Sequence, residues 1–134
     1  ANTGHELSHL GLDHFLENNP SLVQDAYLWF HLGANFAAKD GSILLQTSTQ
    51  DYMNLTMKQF KKENIKGTQS WPISERPLGE ARNIFDGGGE YISLLGTNPL
   101  FHNPDDLWPH SIDIEKLEKL NNAMLKIIND IANS

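Results

Sequence analysis

From Asp113 onward, Ile114, Leu117, Leu120, Met124, Ile127, Ile128 and Ile131 recur at helical spacing along one stripe, with Glu115 in the first turn. A long amphipathic helix of this kind must lay its apolar face on another layer of structure, which constrains the fold more than any other stretch. The remaining apolar segments are short. Tyr27-Leu28-Trp29-Phe30, Ile43-Leu44-Leu45 and Tyr91-Ile92-Ser93-Leu94-Leu95 are rich in aromatic and aliphatic residues and bounded by turn formers, which favours buried strands. Helices and short strands in one chain predict the α/β class.

Taken in order, the apolar spacing predicts a helix over 7–18 that ends in the breaker Asn18-Asn19-Pro20. Residues 25–32 and 42–48 read as two strands, and Asp40-Gly41 between them suggests a hairpin. Ser48-x-x-Asp51 resembles a capping box opening a helix that runs to Asn64, with Met53, Leu55, Met57 and Phe60 on its apolar side. A polar segment punctuated by Trp71-Pro72 and Arg76-Pro77 is where a binding loop would sit; a short helix over 78–85 and a glycine turn over 86–89 follow. The three glycines precede a strand and lack a following Lys-Ser or Lys-Thr, so they do not form a phosphate cradle. The polar loop 97–106 holds His102, Asp105 and Asp106 just beyond the strand 91–95, the position where ligands of α/β sheets collect.

At 134 residues the chain suits a single domain spanning 1–134, large enough to bury a core without staples. Its net charge of −7 and its scattered basic residues argue against nucleic acid or an anionic membrane as partner, and favour a metal, a small molecule or a peptide. There is no cysteine, so a metal must be held by His, Asp or Glu. The longest apolar run, broken by His31, is too short to span a bilayer.

The stretch Gly4-His5-Glu6-Leu7-Ser8-His9-Leu10-Gly11 gathers metal chemistry into eight residues. On a helix, His5 and His9 would share one face and hold a zinc ion while Glu6 acts as base, as in a self-contained zincin. No later histidine falls at the spacing of the extended zincin motif, and little chain precedes the match to shape a substrate cleft. Alternatively Glu6 is a lone carboxylate ligand. His9 and His14 are then expected on the solvent side of the helix, and His110 in a loop.

Gly4 to Gly11, then Phe30-His31-Leu32-Gly33, then Tyr91-Ile92-Ser93-Leu94-Leu95-Gly96, then Phe101-His102-Asn103-Pro104-Asp105-Asp106 and the helix after Asp113 together resemble the C-terminal half of the co-catalytic zinc aminopeptidases. That family includes aminopeptidase Y and bacterial leucyl aminopeptidase, with glutamate carboxypeptidase and the transferrin receptor ectodomain as relatives. The resemblance implies a mixed β-sheet flanked by helices in a three-layer, zinc-peptidase-like arrangement. It also implies hydrolysis of N-terminal peptide bonds by a zinc-activated water. Glu6 matches the family's glutamate ligand, His102 its late histidine ligand, and His31 lies near its strand-end aspartate ligand; Asp106 is expected to support that ligand set or fix its loop. His5 occupies the general-base position, and Phe101 stands where some members carry a tyrosine.

The family's early histidine and bridging aspartate belong to a first half outside this sequence. The expectation is therefore a zinc aminopeptidase-like domain whose catalysis belongs to the complete protein, with weak zinc binding and no turnover by these residues alone. The competing expectation is a non-catalytic binding or assembly module on the same fold. Partners would be a peptide substrate or a peptide or protein ligand, and a homodimer could form through an exposed sheet edge.

Overall fold

The computed structural model describes residues 8–133. The elements are α1 (Leu10–Asn18), α2 (Leu22–Asp25), β1 (Trp29–Leu32), β2 (Ile43–Thr47), α3 (Gln50–Lys62), β3 (Thr68–Ser70), α4 (Ala81–Asp86), β4 (Tyr91–Gly96) and α5 (Ile114–Ala132). The class is α/β: a four-stranded mixed sheet in the order β1-β4-β2-β3, flanked by helices.

β4 is the axis of the sheet. It pairs parallel with β1, Phe30 opposite Ile92 and His31 opposite Ser93, and antiparallel with β2, Leu45 opposite Leu94 and Gln46 opposite Ser93. The hairpin expected between β1 and β2 is not formed, because β4 lies between them. The chain leaving β1 is instead held to the end of β4, where Gly33 N–H donates to Leu94 O at 2.8 Å and Gly96 N–H to Ala34 O at 2.8 Å. β2 and β3 are parallel and joined through α3; β3 is polar, and its Thr-Gln-Ser sequence carries no apolar alternation by which it could be foreseen.

Alternation along the strands separates two apolar clusters. Ile43, Leu45, Ile92 and Leu94 pack with Met53 and Phe60 of α3 and with Leu120, Ala123 and Ile127 of α5. Residues that alternate with these put Tyr91 and Trp29 against Val23 of α2, Ala81 and Ile84 of α4 and Leu16 of α1.

Helix boundaries follow local chemistry. α3 begins at Thr49 rather than at the expected Ser48: the Thr49 hydroxyl accepts from Tyr52 N–H at 3.3 Å, while Ser48 accepts from Tyr91 N–H at 3.0 Å and ties the end of β2 to the start of β4. Thr49→Ala is expected to lower stability by about 1 kcal/mol, read as a shift of the urea midpoint at unchanged slope. α5 opens on Asp113, whose side chain accepts from Lys116 N–H at 2.9 Å. The strand expected over 25–32 is shortened to its last four residues by α2, and α1 starts at Leu10 because Ser8 and His9 both adopt left-handed backbone angles (φ 61° and 65°).

Candidate functional site at the strand ends

β1 and β4 run parallel and side by side, so their C-terminal ends and the segments that follow them lie together. Those segments are also bonded to each other: Lys39 N–H donates to Ser111 O at 2.9 Å, Asp113 N–H to Ala37 O at 3.0 Å, and Ala38 and Ile112 form an antiparallel bridge. A Cβ at Gly96 would fall 1.8 Å from Asn35 O, so glycine is what lets the two backbones approach this closely.

One row of the sheet is polar. His31, Ser93 and Gln46 are direct neighbours across β1, β4 and β2 and project to the same face. His31 Nδ1 lies 2.8 Å from Ser93 Oγ, and His31 Nε2 lies 3.0 Å from Glu80 Oε2, just before α4. Gln46 Nε2 donates to Ser93 Oγ at 3.0 Å and to Leu78 O at 3.3 Å, while its Oε1 accepts from Leu78 N–H at 2.6 Å. One proton assignment satisfies the row: Gln46 donates to Ser93, the Ser93 hydroxyl donates to Nδ1, and Nε2–H donates to the Glu80 carboxylate. Ser93 and Gln46 are fully buried, and the His31 and Glu80 side chains are only 14% and 13% exposed. Complete pairing is what allows so much polarity beneath α4.

The segment crossing this row is clamped at both ends. The Gln46 amide grips both backbone groups of Leu78, and Gly79, at φ 65°, lets the chain turn closely over the ring: a Cβ there would meet His31 Cε1 at 3.1 Å. Upstream, Arg76 Nε donates to Asp86 Oδ1 at 2.8 Å and a second guanidinium nitrogen reaches Asp86 Oδ2. Those hydrogen bonds hold the Asp86 carboxyl below the usual carboxylate range. Ser93 is thus sealed from solvent, so the Ser93-His31-Glu80 sequence of contacts is not an accessible nucleophile and base.

His5 and Glu6 lie outside the described residues. His31 is on β1 as expected, held by Ser93 and Glu80. His102 is in the segment after β4 with a left-handed backbone (φ 62°), its ring stacked on Phe101 at a centroid distance of 3.9 Å. Asp106 Oδ1 accepts from Asn98 Nδ2 at 3.1 Å and so fastens the same loop. His14 and His110 are exposed, in keeping with their reading, but His9 is not: it is 4% exposed, with Nδ1 3.4 Å from Asn83 Oδ1 and Arg82 within 3.4 Å. Its left-handed backbone stands before the helix, so His9 is not presented from a helical turn as the zincin geometry requires. No group of three or more metal-ligating side chains occurs among the described residues.

Glu80, Ser93 and Gln46 carry no motif in the sequence that marks them as site residues. A partial signal is present, since His31 and Ser93 each interrupt an apolar strand run and Gln46 ends one, but only strand register shows that these three share a row. A separate cleft of about 390 Å³ lies between the 38–41 turn and the start of α5. Of its three lysines, Lys116 donates to Ala38 O and Gly41 O at 3.2 and 2.8 Å, and desolvation pulls its pKa below that of a free lysine. No family model matches the chain, and no curated protein or solved structure matches it significantly.

Proposed function

We propose that the chain is the C-terminal portion of a zinc aminopeptidase-like hydrolase domain, contributing Glu6, His102 and His31 to metal-assisted peptide hydrolysis in the complete protein. The supporting observation is the parallel pairing of β1 with β4, which brings the strand end carrying His31 beside the strand whose following loop carries His102. Positions outside the carboxyl ends of parallel strands are where α/β proteins bind ligands.

The donor chemistry fits zinc. An imidazole and a carboxylate are donor types zinc accepts, and an ion at His31 Nε2 would replace the hydrogen bond to Glu80. With Nε2 on a metal, Nδ1 would carry the ring proton and donate it to Ser93 Oγ, the reverse of the metal-free assignment, because outer partners of metal-bound histidines accept from the ring. A bound zinc ion supplies an acidified water and polarises the scissile carbonyl. This chain's residues would orient that ion through His31 and Glu6, hold the His102 loop in place through Asp106, and exclude water behind the ring with the Leu78-Gly79 segment.

A second reading, a non-catalytic binding or assembly module, is favoured by one observation: both His31 nitrogens already have protein partners. Zinc titration by calorimetry separates the two. The hydrolase reading expects weak single-site binding by the chain, reduced about tenfold or more by His31→Ala, His102→Ala or Glu6→Ala. Absence of zinc binding at millimolar metal, or an affinity that none of the three substitutions changes, overturns it in favour of the binding module.

A further inference from the structure

The apolar stripe of α5 is wider than the core can cover. Leu120, Ala123 and Ile127 are completely buried, but Ile114, Leu125 and Ile128 are 43%, 53% and 47% exposed. At 100° per residue these three fall within about 60° of one another, and Asn121, also exposed, lies between them with half-buried Leu117 alongside. Ile114 and Ile128, expected from sequence to belong to the packing stripe, therefore form a second, outward face.

That outward face reads the same in both directions. Counted from Asn121, it has Ile114 at −7, Leu125 at +4 and Ile128 at +7, with Leu117, which also packs against the core, at its edge at −4. A helix with this pattern is self-complementary about a two-fold axis at Asn121. In an antiparallel pair Ile114 of one copy meets Ile128 of the other, Leu117 meets Leu125, and the two Asn121 amides face each other, each able to donate and accept. No charged residue stands among these five positions, with Glu118 at the border, as in the desolvated centre of an interface. A single polar residue at the middle of an apolar seam is also what fixes register and orientation in helix pairs.

We infer that α5 is a homodimerisation surface on which a second copy of this chain docks antiparallel, with the axis at Asn121. The contact is narrow, one helix wide, and smaller than a standard permanent interface, so the dimer is weak and concentration-dependent. Each copy carries a charge of −7, so repulsion opposes an association driven by apolar burial, and added salt strengthens it.

Sedimentation equilibrium of the full chain from micromolar to millimolar concentration tests this. The expected result is a monomer-dimer equilibrium that shifts toward dimer in high salt. Leu125→Asp and Ile128→Asp should each weaken it about tenfold or more with an unchanged circular dichroism spectrum, since both positions are solvent-facing. Orientation is read by spin labels in this otherwise cysteine-free chain. A label at Asn122→Cys should lie close to its mate across the axis, while one at Asn129→Cys should be displaced along the helices by about 24 Å. A strictly monomeric chain, a dimer indifferent to both aspartate substitutions, or close label pairs at 129 each overturn the proposal.

Discussion

Replacing Phe60 by alanine is expected to lower stability by about 3–5 kcal/mol, the largest loss foreseen from one truncation in this chain. Phe60 is 1% exposed on the inner face of α3, within the cluster that joins the sheet residues Ile43, Leu45, Ile92 and Leu94 to Leu120 and Ile127 of α5. Three elements meet at this ring, so a cavity there cannot be closed by moving one of them: α3 is held at its start by Thr49, α5 by Asp113, and the sheet by its pairing. Chemical denaturation should show the loss as a lowered midpoint. Phe60→Leu, which keeps most of the volume, should lose less than half as much, and equal losses for the two substitutions would contradict a cavity as the cause.

Gln46→Leu is the second large effect, expected at about 2–3 kcal/mol although the two side chains are of similar size. Gln46 is fully buried and makes three hydrogen bonds, two to the backbone of Leu78 and one to Ser93. Leucine fills the space and satisfies none of them. The loss should also be local in a way that the Phe60 cavity is not. Without the amide clamp the segment through Leu78 and Gly79 detaches before the rest of the protein unfolds, so exchange of the Leu78 amide hydrogen should accelerate far more than exchange of the β4 amides. Uniform acceleration across both would show that Gln46 supports the whole core rather than this segment.

Much of the framework is legible in the sequence for identifiable reasons. α3, α5, β2 and β4 lie within a few residues of their expected places, because each has either a strong apolar period or a run of aliphatic residues bounded by turn formers. Register across the sheet was not legible. Asp40-Gly41 suggested a hairpin, yet the backbone after Leu32 bonds to β4, and that choice depends on Gly33 and Gly96 meeting a segment sixty residues away in the chain. The same limit hides the polar row: His31 stands out in the sequence by its chemistry, whereas Ser93 and Gln46 become its neighbours only once pairing is known. His9 shows a different failure. Apolar periodicity placed it on a helix, but two left-handed residues turn it inward toward Asn83 and Arg82 before the helix begins. The division of α5 into a core face and an outward face could not be read from a stripe whose residues are all apolar; only the position of the sheet beneath it separates them.

The central place of β4 also sets an order of events during synthesis. β2, α3 and β3 are contiguous and form a parallel unit whose contacts span fewer than thirty residues, so this part can assemble as soon as it is made. β1 has no such opportunity. Its partner is some sixty residues downstream, and until β4 emerges both β1 and the inner edge of β2 present unsatisfied backbone groups beside apolar side chains. Nascent chains that stall before residue 91 are therefore the aggregation-prone species for this protein, and completion of β4 is the step that closes both edges at once.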